Sequence, residues 1–289
     1  MQQVPSVYHR KIGDILVTAL CDGYLDTNYE IFQGISPAEG EYLMKEARLV
    51  SPPRITVNAF LIRFQGRIAL IEAGSGNTMG PTLGHLPENI RAAGVALESI
   101  EAVLLTHMHP DHSNGLTEST GARVFPNAEI FLSERELNHW LDDGEMARVP
   151  ERKKERYFRA ARRQIAAYEG QLRPFSHRGR EVFPGVMAEP IPGHTPGHTA
   201  YIIASGNESL IIWGDTVHVP TIQIQKPDVT LDFDSDPDAA RAMRRRLFER
   251  VSADGMLVAG MHLDFPGFGY LSRHGDGYRY HPEPWKPLL

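Results

Sequence analysis

The sequence predicts an α/β protein in which two β-sheets are flanked by helices. Strand-like runs of β-branched and apolar residues dominate both halves of the chain, and helical patterns lie between them. Elements with one apolar face bury that face best by packing in layers, which favours this architecture. We recognise no repeat and no linker in the 289 residues, so residues 1–289 are expected to form a single domain.

The strands are predicted from apolar runs that end at turn residues. Residues 15–20 stop before an Asp-Gly pair, and residues 56–64 and 67–71 flank a Gln-Gly turn, which is typical of a hairpin. Residues 100–105 (IEAVLL) form a buried strand that continues into a histidine-rich loop. Further strands are predicted at residues 129–132, 186–191, 199–204, 210–213 and 256–259.

Helices are predicted at residues 87–93, 133–141, 145–168 and 237–251. Ser133 and Glu136 are spaced as a capping box, and Asp236 stands where an N-cap would satisfy the first backbone N–H groups. Two arginine-rich stretches, 148–163 and 241–250, alternate with acidic and apolar residues at helical spacing. That alternation indicates solvated helix faces rather than nucleic-acid patches.

Composition excludes several classes of protein. The 30 basic and 36 acidic residues give a net charge of −6, which argues against a nucleic-acid partner. The one cysteine cannot form an intrachain disulfide, and no apolar run approaches the ~20 residues of a membrane span. The first residues lack the apolar core of a signal peptide, so a cytoplasmic protein without membrane contact is expected.

The sequence THMHPDH at residues 106–112 contains four side chains that can bind a metal ion. His107, His109, Asp111 and His112 follow an apolar strand directly, so one loop can aim four side chains at one point. Imidazole nitrogens and carboxylate oxygens are ligands that suit Zn²⁺, Fe or Mn. A polar loop that is rich in histidine by chance is the alternative, but four metal-competent groups in six residues favour a metal site.

Three later motifs each place further ligands after an apolar run. They are GHTPGH at 193–198, with His194 and His198, then Asp215 and His262. Alone, such an Asp is more often an N-cap and such a His a hydrogen-bonded core residue. With one of the two GHTPGH histidines counted, they bring the assignable ligands to seven, more than the three that a catalytic zinc usually takes. The count favours two ions that share a carboxylate.

These motifs resemble those of the metallo-β-lactamase superfamily. The resemblance implies an αβ/βα sandwich of two mixed sheets flanked by helices, with two divalent metal ions at one edge. The ions are expected to be Zn²⁺, although Mn, Fe or Co would accept the same ligands. By position, the resemblance implies His107, His109 and His198 at one ion, Asp111, His112 and His262 at the other, and Asp215 between them. His194 would then lie outside the ligand shell.

Longer segments are similar to the methyl parathion hydrolase branch of that superfamily. They include LCDGYLD at 20–26, GPTLGHLPENIRAAG at 80–94, FPNAE at 125–129 and HLDFPGFGYL at 262–271. Members hydrolyse organophosphate triesters, and their relatives hydrolyse lactones and aryl esters. The relatives also suggest a homodimer, in which the N-terminal residues 1–35 would take part.

The resemblance also implies a substrate pocket. Trp140 and Phe158 match aromatic pocket residues of the branch, whereas Met79 replaces a third aromatic residue with a more adaptable side chain. His218 stands where acyl-homoserine lactonases carry a tyrosine. It could donate a proton to a leaving alkoxide, or it could be a structural histidine at the end of a strand.

The sequence therefore predicts a dinuclear metal-dependent hydrolase. We expect a lactonase or aryl esterase for small hydrophobic lactones, in which Asp111 and Asp215 orient the attacking water, with weak organophosphate triester hydrolysis. A dedicated phosphotriesterase is the main alternative. An iron oxidoreductase, a nuclease, a non-enzymatic metal-binding protein and an exported β-lactamase fit less well. We recognise no flavin module for the oxidoreductase and no basic arm for the nuclease. The full set of ligands argues against a non-enzymatic protein, and the lack of a signal sequence against an exported β-lactamase.

Overall fold

The computed structural model describes residues 3–176 and 179–288, and within them the strands form two seven-stranded sheets and one two-stranded sheet. Sheet I consists, in spatial order, of β1 (Val7–Ile12), β2 (Ile15–Asp26), β4 (Arg54–Phe64), β5 (Arg67–Ile71), β6 (Ala102–Leu104), β7 (Glu129–Ser133) and β8 (Leu172–Phe175). Sheet II consists of β16 (Gly277–Pro282), β15 (Phe268–His274), β14 (Leu257–Ala259), β12 (Glu208–Ile212), β11 (Thr199–Ser205), β10 (Val186–Pro190) and β9 (Arg180–Phe183). The small sheet pairs β3 (Phe32–Gln33) with β13 (Thr230–Leu231).

Both large sheets are mixed. The β5–β6, β6–β7, β7–β8 and β12–β14 pairs are parallel, and the remaining neighbours are antiparallel. Helices connect or flank the strands. They are α1 (Pro37–Glu46), α2 (Leu86–Ala92), α3 (Pro110–Ser113), α4 (Glu134–Leu141), α5 (Asp143–Ala147), α6 (Glu151–Lys153), α7 (Ala160–Ala167), α8 (Pro220–Gln223) and α9 (Pro237–Ala253). No helix in the described ranges combines the length and the apolar character that a bilayer crossing needs.

Strand β4 shows why the two sheets pack between layers of helices. Successive side chains of a strand point to opposite faces, and β4 is apolar on both. Phe60 and Ile62 face the core between the sheets, whereas Leu61 packs with the helical side chains of Leu86 and Ile90. A strand that is covered on both faces has a near-continuous apolar run, as this one does.

The outer face of sheet II is covered in the same way by α9. Leu247, Phe248 and Val251 of this helix pack against Trp213 and Ile211. The resulting order of layers is helix, sheet, sheet, helix, which is the αβ/βα sandwich that the sequence predicts.

Several predicted elements are confirmed. The hairpin forms from β4 and β5, and α9 begins after Asp236, whose carboxylate accepts a hydrogen bond from the Ala239 N–H. The predicted end of a strand at residue 20 is wrong. Strand β2 runs on to Asp26 through a β-bulge at Cys21–Gly23, and Gly23 has φ +134°. A side chain at Gly23 would lie 1.9 Å from the Thr82 carbonyl oxygen, so the glycine permits a close approach rather than a turn.

The predicted helix at residues 145–168 is interrupted. Pro150 precedes α6, and Lys154–Arg159 then forms a π-helical turn before α7. Proline lacks the N–H that would continue α5, so the chain breaks there. Strands β1, β15 and β16 lie in segments for which the sequence predicts no element.

The predicted capping box at α4 is also wrong. The Ser133 hydroxyl accepts from the Arg135 N–H rather than from that of Glu136. The Glu136 side chain, which would complete a box by pointing back to the cap, is instead buried in the interior.

Candidate metal centre

The predicted ligands converge where the strands of both sheets end. His107, His109, Asp111 and His112 follow β6 of sheet I, and the last two lie in α3. From sheet II, Asp215 follows β12 and His262 follows β14. Because β12 and β14 are parallel neighbours, their carboxyl ends meet at one edge.

One group, which we call the site-1 cluster, consists of His107, His109 and His194 with one oxygen of Asp215. Nδ1 of His109 lies 2.9 Å from Nε2 of His194. Oδ2 of Asp215 lies 3.3 Å from Nε2 of His194 and 3.5 Å from Nε2 of His107.

The second group, the site-2 cluster, consists of Asp111, His112 and His262. Oδ2 of Asp111 lies 3.4 Å from Nε2 of His112 and 3.6 Å from Nε2 of His262. Both imidazole nitrogens also lie 3.2 Å from Oδ1 of Asp215. Asp215 therefore presents Oδ2 to one cluster and Oδ1 to the other.

The site-2 separations fit a tetrahedral metal site, whereas the 2.9 Å between His109 and His194 in the site-1 cluster is a hydrogen-bond distance. Ligands held at about 2.1 Å from an ion in a tetrahedron lie about 3.4 Å from each other. The site-2 separations of 3.2–3.6 Å match this spacing closely. The chemistry of the donors agrees, because Nε2 of His107, His112 and His262 and Oδ1 of Asp215 are buried without a hydrogen-bond partner among the described residues. Buried polar atoms are rarely left unpaired, so these four atoms fit bound cations.

The far nitrogens of the same imidazoles are held by neighbours. Nδ1 of His262 donates to the Thr56 carbonyl oxygen at 2.7 Å, and Nδ1 of His194 lies 2.7 Å from Oδ1 of Asp234. Nδ1 of His107 lies 2.9 Å from the Thr106 hydroxyl oxygen. Such outer partners fix the ring orientation and the tautomer that leaves Nε2 free to bind metal.

The two histidines of GHTPGH have different partners in the structure. Nε2 of His198 accepts a hydrogen bond from the backbone N–H of Asp215 at 3.0 Å, so its lone pair is already used. His198 supports the turn that carries Asp215, whereas His194 reaches the site-1 cluster. Strand β11 begins at Thr199, immediately after His198, and this anchors His198 beside the turn.

The electrostatics of the centre favour ionised carboxylates and divide the imidazoles into two groups. Asp215 and the neighbouring carboxylates outweigh burial and raise the pKa values of His112, His194 and His262, that of His194 to about 9, so these imidazoles would release a proton on binding a metal ion. Burial lowers the pKa of His107 and of His109 well below the usual range. Burial alone would raise the pKa of Asp215, but His112, His262 and His107 outweigh it and hold that pKa well below its ordinary value. Metal ions bind the neutral imidazole and the charged carboxylate.

His218 stands beside the carboxylate that the clusters share. Its Nε2 lies 2.9 Å from Oδ2 of Asp215, and its Nδ1 is buried without a partner in the described part of the chain. Burial lowers the pKa of His218 to about 4 against the opposing effect of Asp215. Its ring stacks on His262 at 4.9 Å and meets Phe233 edge-on at 5.1 Å.

A cavity of about 520 Å³ opens above the two clusters. His109, Asp111, Asp215, His218 and His262 form its floor, and Met79 lies on its wall, as the sequence predicts. The remaining lining combines apolar residues and three cations with a smaller number of polar and acidic side chains. This lining lets the cavity accept a small molecule with its reacting group over the centre.

Trp140 and Phe158 lie one layer behind the described lining of this cavity. Both are buried and stack edge-to-face with ring centroids 4.9 Å apart. The wall position predicted for them is taken by Tyr157, whose ring lies 5.0 Å from that of His109. The pocket position of Trp140 and Phe158 is predicted by resemblance, and in the structure Phe158 and Tyr157 lie together in the π-helical turn with Tyr157 toward the cavity.

Glu136 supports the centre, although the sequence predicts it only as part of a capping box. Its Oε1 accepts from the Met108 N–H at 2.9 Å and from the Trp140 indole at 2.6 Å. Its Oε2 accepts from the Thr195 hydroxyl at 2.6 Å and from the Gly197 N–H at 3.1 Å. The carboxylate thus ties the loop of His107 and His109 to the loop of His194. The available signal was an acidic residue one helical turn before Trp140, on the buried face of α4.

A family model described as the Metallo-beta-lactamase superfamily matches residues 52–262. Among solved structures, hydrolase AbOPH of the beta lactamase superfamily has a TM-score of 0.92 and 30% identity over 99% of this chain and 100% of that one. AidC, a dizinc quorum-quenching lactonase solved in complex with a product, has a TM-score of 0.92 and 25% identity over 97% and 98% of the two chains.

Curated relatives match over shorter stretches. Hydroxyacylglutathione hydrolase of Aeromonas hydrophila is 28% identical over 176 residues, which are 57% of this chain and 50% of that protein. The chain spans about half the length of the curated relatives that it matches.

Proposed function

The chain belongs to the metallo-beta-lactamase superfamily of metal-dependent hydrolases, and from this we propose that it is a dinuclear lactonase or aryl esterase. The observation that carries the proposal is the shared Asp215, whose two oxygens each face a separate cluster of imidazoles at the floor of the cavity. We propose the site-1 and site-2 clusters as the ligand sets, with Zn²⁺ as the expected ion. The dizinc lactonase AidC supports both choices by its overall similarity.

Two divalent ions held by these residues would supply Lewis acidity and would lower the pKa of the attacking water toward ~7. The side chains of the protein position the water and the substrate. Asp111 is the most exposed cluster member at 13%, and it faces the cavity, where it can orient the attacking water together with Asp215. No serine or cysteine nucleophile is needed, and Cys21 is buried away from the clusters.

His218 is proposed to hydrogen-bond the substrate. Its Nε2 is placed beside Asp215 at the floor of the cavity, within the reach of a carbonyl or leaving oxygen bound over the centre. A neutral imidazole donates one N–H, which Oδ2 of Asp215 accepts in the structure; a lactone carbonyl or a departing alkoxide could accept it instead once a metal ion occupies that oxygen. The fixed packing of His218 against His262 and Phe233 also narrows the space available for a bulky phosphotriester.

The apolar part of the lining supports hydrophobic acyl or aryl groups. Leu25, Ile31, Ile55 and Phe233 face the cavity beside the adaptable Met79. We therefore expect lactones and aryl esters with an apolar body to react faster than phosphotriesters. Hydrolysis of organophosphates as the main activity is the second candidate, and it rests on the sequence resemblance to methyl parathion hydrolases.

The deciding experiment combines metal content with initial rates on dihydrocoumarin, an acyl-homoserine lactone, p-nitrophenyl acetate and methyl paraoxon. We expect about two ions per chain and the highest kcat/KM on dihydrocoumarin. A rate on methyl paraoxon above that on both lactones would instead establish the phosphotriesterase.

Two variants test the assigned roles. Asp215→Ala should remove bound metal and nearly all esterase activity together, whereas Asp254→Ala, an exposed residue, should change neither. Full activity of Asp215→Ala with one ion retained would contradict the dinuclear centre. His218→Leu should lower lactone turnover and raise phosphotriester turnover; unchanged rates on both would assign His218 a structural role.

A further inference from the structure

One wall of the cavity carries positive charge. Arg152, Lys153 and Arg156 line it, beside Tyr157. Arg152 and Lys153 belong to α6, and Arg156 lies in the π-helical turn that follows. The two arginines are about one helical turn apart. Tyr157 packs on His109, so this wall stands next to the metal centre and not on a remote surface.

Most cations of this segment are neutralised on its outer side. Lys154 pairs with Glu151, Arg159 with Glu151 and Glu155, and Arg163 with Glu155. Those contacts confirm the solvated helix face that the sequence predicts.

Arg152 and Arg156 differ from these neighbours. Both are exposed, both face the cavity, and neither has a carboxylate partner within 4 Å among the described residues. Lys153 uses its ammonium group to donate to the backbone carbonyl of Asp232 at 3.0 Å. The segment therefore directs its two uncompensated charges toward the place where a substrate binds.

The acidic residues of the cavity do not cancel this charge. Asp26 is already bound by Arg54, with oxygen–nitrogen distances of 2.8 and 3.3 Å. Asp111 and Asp215 belong to the proposed metal ligands. Asp232 is the remaining acid of the described lining, which contains three cations.

We propose that the substrate of this cavity is amphipathic and anionic: a lactone or ester with an apolar body and a carboxylate that Arg152 and Arg156 bind. This inference rests on the proposed function and specifies its substrate class. The planar guanidinium group presents paired N–H donors that match a carboxylate, and two of them in one wall can hold it from two directions. The apolar residues of the same lining, among them Ile31 and Ile55, take the uncharged part of the molecule.

Binding tests this proposal without any turnover. The probes are N-(4-nitrophenyl)adipamic acid and its uncharged primary amide, N-(4-nitrophenyl)adipamide, which differ by one negative charge and contain no ester. They are titrated into the metal-loaded protein by calorimetry. We expect the acid to bind about tenfold more tightly at low ionic strength. The preference should shrink in about 0.5 M salt, because salt screens exposed charges.

The double variant Arg152→Gln/Arg156→Gln should bring the ratio of the two dissociation constants near one. Arg163→Gln, which removes a paired arginine from the outer side of the same segment, should keep the wild-type ratio. A wild-type ratio of one or below, or a ratio that the double variant leaves unchanged, would overturn the proposal.

Turnover of the corresponding 4-nitrophenyl esters separates this inference from the proposed function. Hydrolysis of mono-4-nitrophenyl adipate and of its methyl ester at equal kcat/KM would support an esterase and contradict the anion preference. A tenfold binding preference without hydrolysis of either ester would do the reverse.

Discussion

His194 and His198 carry the same imidazole, yet the loop between β10 and β11 gives them different partners. Nε2 of His194 faces His109 and Asp215, and its Nδ1 is held by Asp234. His198 is directed to a backbone N–H instead. At the scale of single residues, position separates the two imidazoles: Nε2 of His194 lies among the other atoms of the site-1 cluster, whereas Nε2 of His198 accepts from a backbone N–H.

This difference predicts opposite results for two alanine variants. His194→Ala should lose about one ion per chain, measured by elemental analysis after gel filtration, because the site-1 cluster loses a ligand. His198→Ala should retain both ions. It should lose roughly 1–3 kcal/mol of stability in urea unfolding, because the Asp215 N–H is left buried without an acceptor. Loss of metal from His198→Ala alone would restore the assignment made from sequence.

Glu136 supports the same cluster from below. Each of its oxygens accepts two hydrogen bonds, so an amide in its place would turn N–H donors toward other donors. Glu136→Gln should weaken metal binding at site 1 by roughly 10–100-fold in chelator competition, as is usual for outer partners of ligands. Glu134→Gln, on the exposed face of α4, is the control and should leave metal affinity unchanged. Equal affinity in both variants would make Glu136 a packing residue only.

Among the elements, the short turn after β12 is the most constrained. Gly214 has φ +54°, and a Cβ there would lie 2.3 Å from Nε2 of His198. The turn therefore depends on a residue without a side chain both for its conformation and for space. The sequence shows the glycine before Asp215 but not the imidazole against which it packs.

Gly214→Ala tests this element against Gly66→Ala. Gly66, in the β4–β5 hairpin, has φ +77° and nothing within 4 Å of an added Cβ, so its variant measures backbone strain alone. Such strain costs about 1–3 kcal/mol. Gly214→Ala should lose clearly more stability than Gly66→Ala in urea unfolding and should also bind metal more weakly. Equal losses would show that the turn adjusts around a methyl group.

At the scale of the whole molecule, the centre joins the two sheets. His107 to His112 come from sheet I, whereas His194, Asp215 and His262 come from sheet II. Ions bound between them would stabilise the native state over the unfolded one by mass action, by about 2.7 kcal/mol at one hundred times the dissociation constant.

Metal removal should therefore lower the Tm by roughly 5 °C or more, measured by calorimetry before and after dialysis against a chelator. Added Zn²⁺ should restore the Tm of the wild type and leave that of Asp215→Ala unchanged. An equal shift in both proteins would mean that the ions stabilise the fold elsewhere.

The sequence by itself determined what lies close along the chain. Apolar residues around a Gln-Gly turn specify the β4–β5 hairpin, and Asp236 marks the start of α9. The four candidate ligands of THMHPDH lie close together because they are separated by at most five residues of one loop. Only the tertiary structure decided what depends on distances between loops. His194 rather than His198 lies in the site-1 cluster, and Glu136 is buried between two ligand loops. Arg152 and Arg156 line the cavity. The local sequence pattern determines the type of each element and the kinds of ligand atom that it carries. Whether a side chain at the site is already hydrogen-bonded or ion-paired depends on the neighbours that tertiary packing brings close to it.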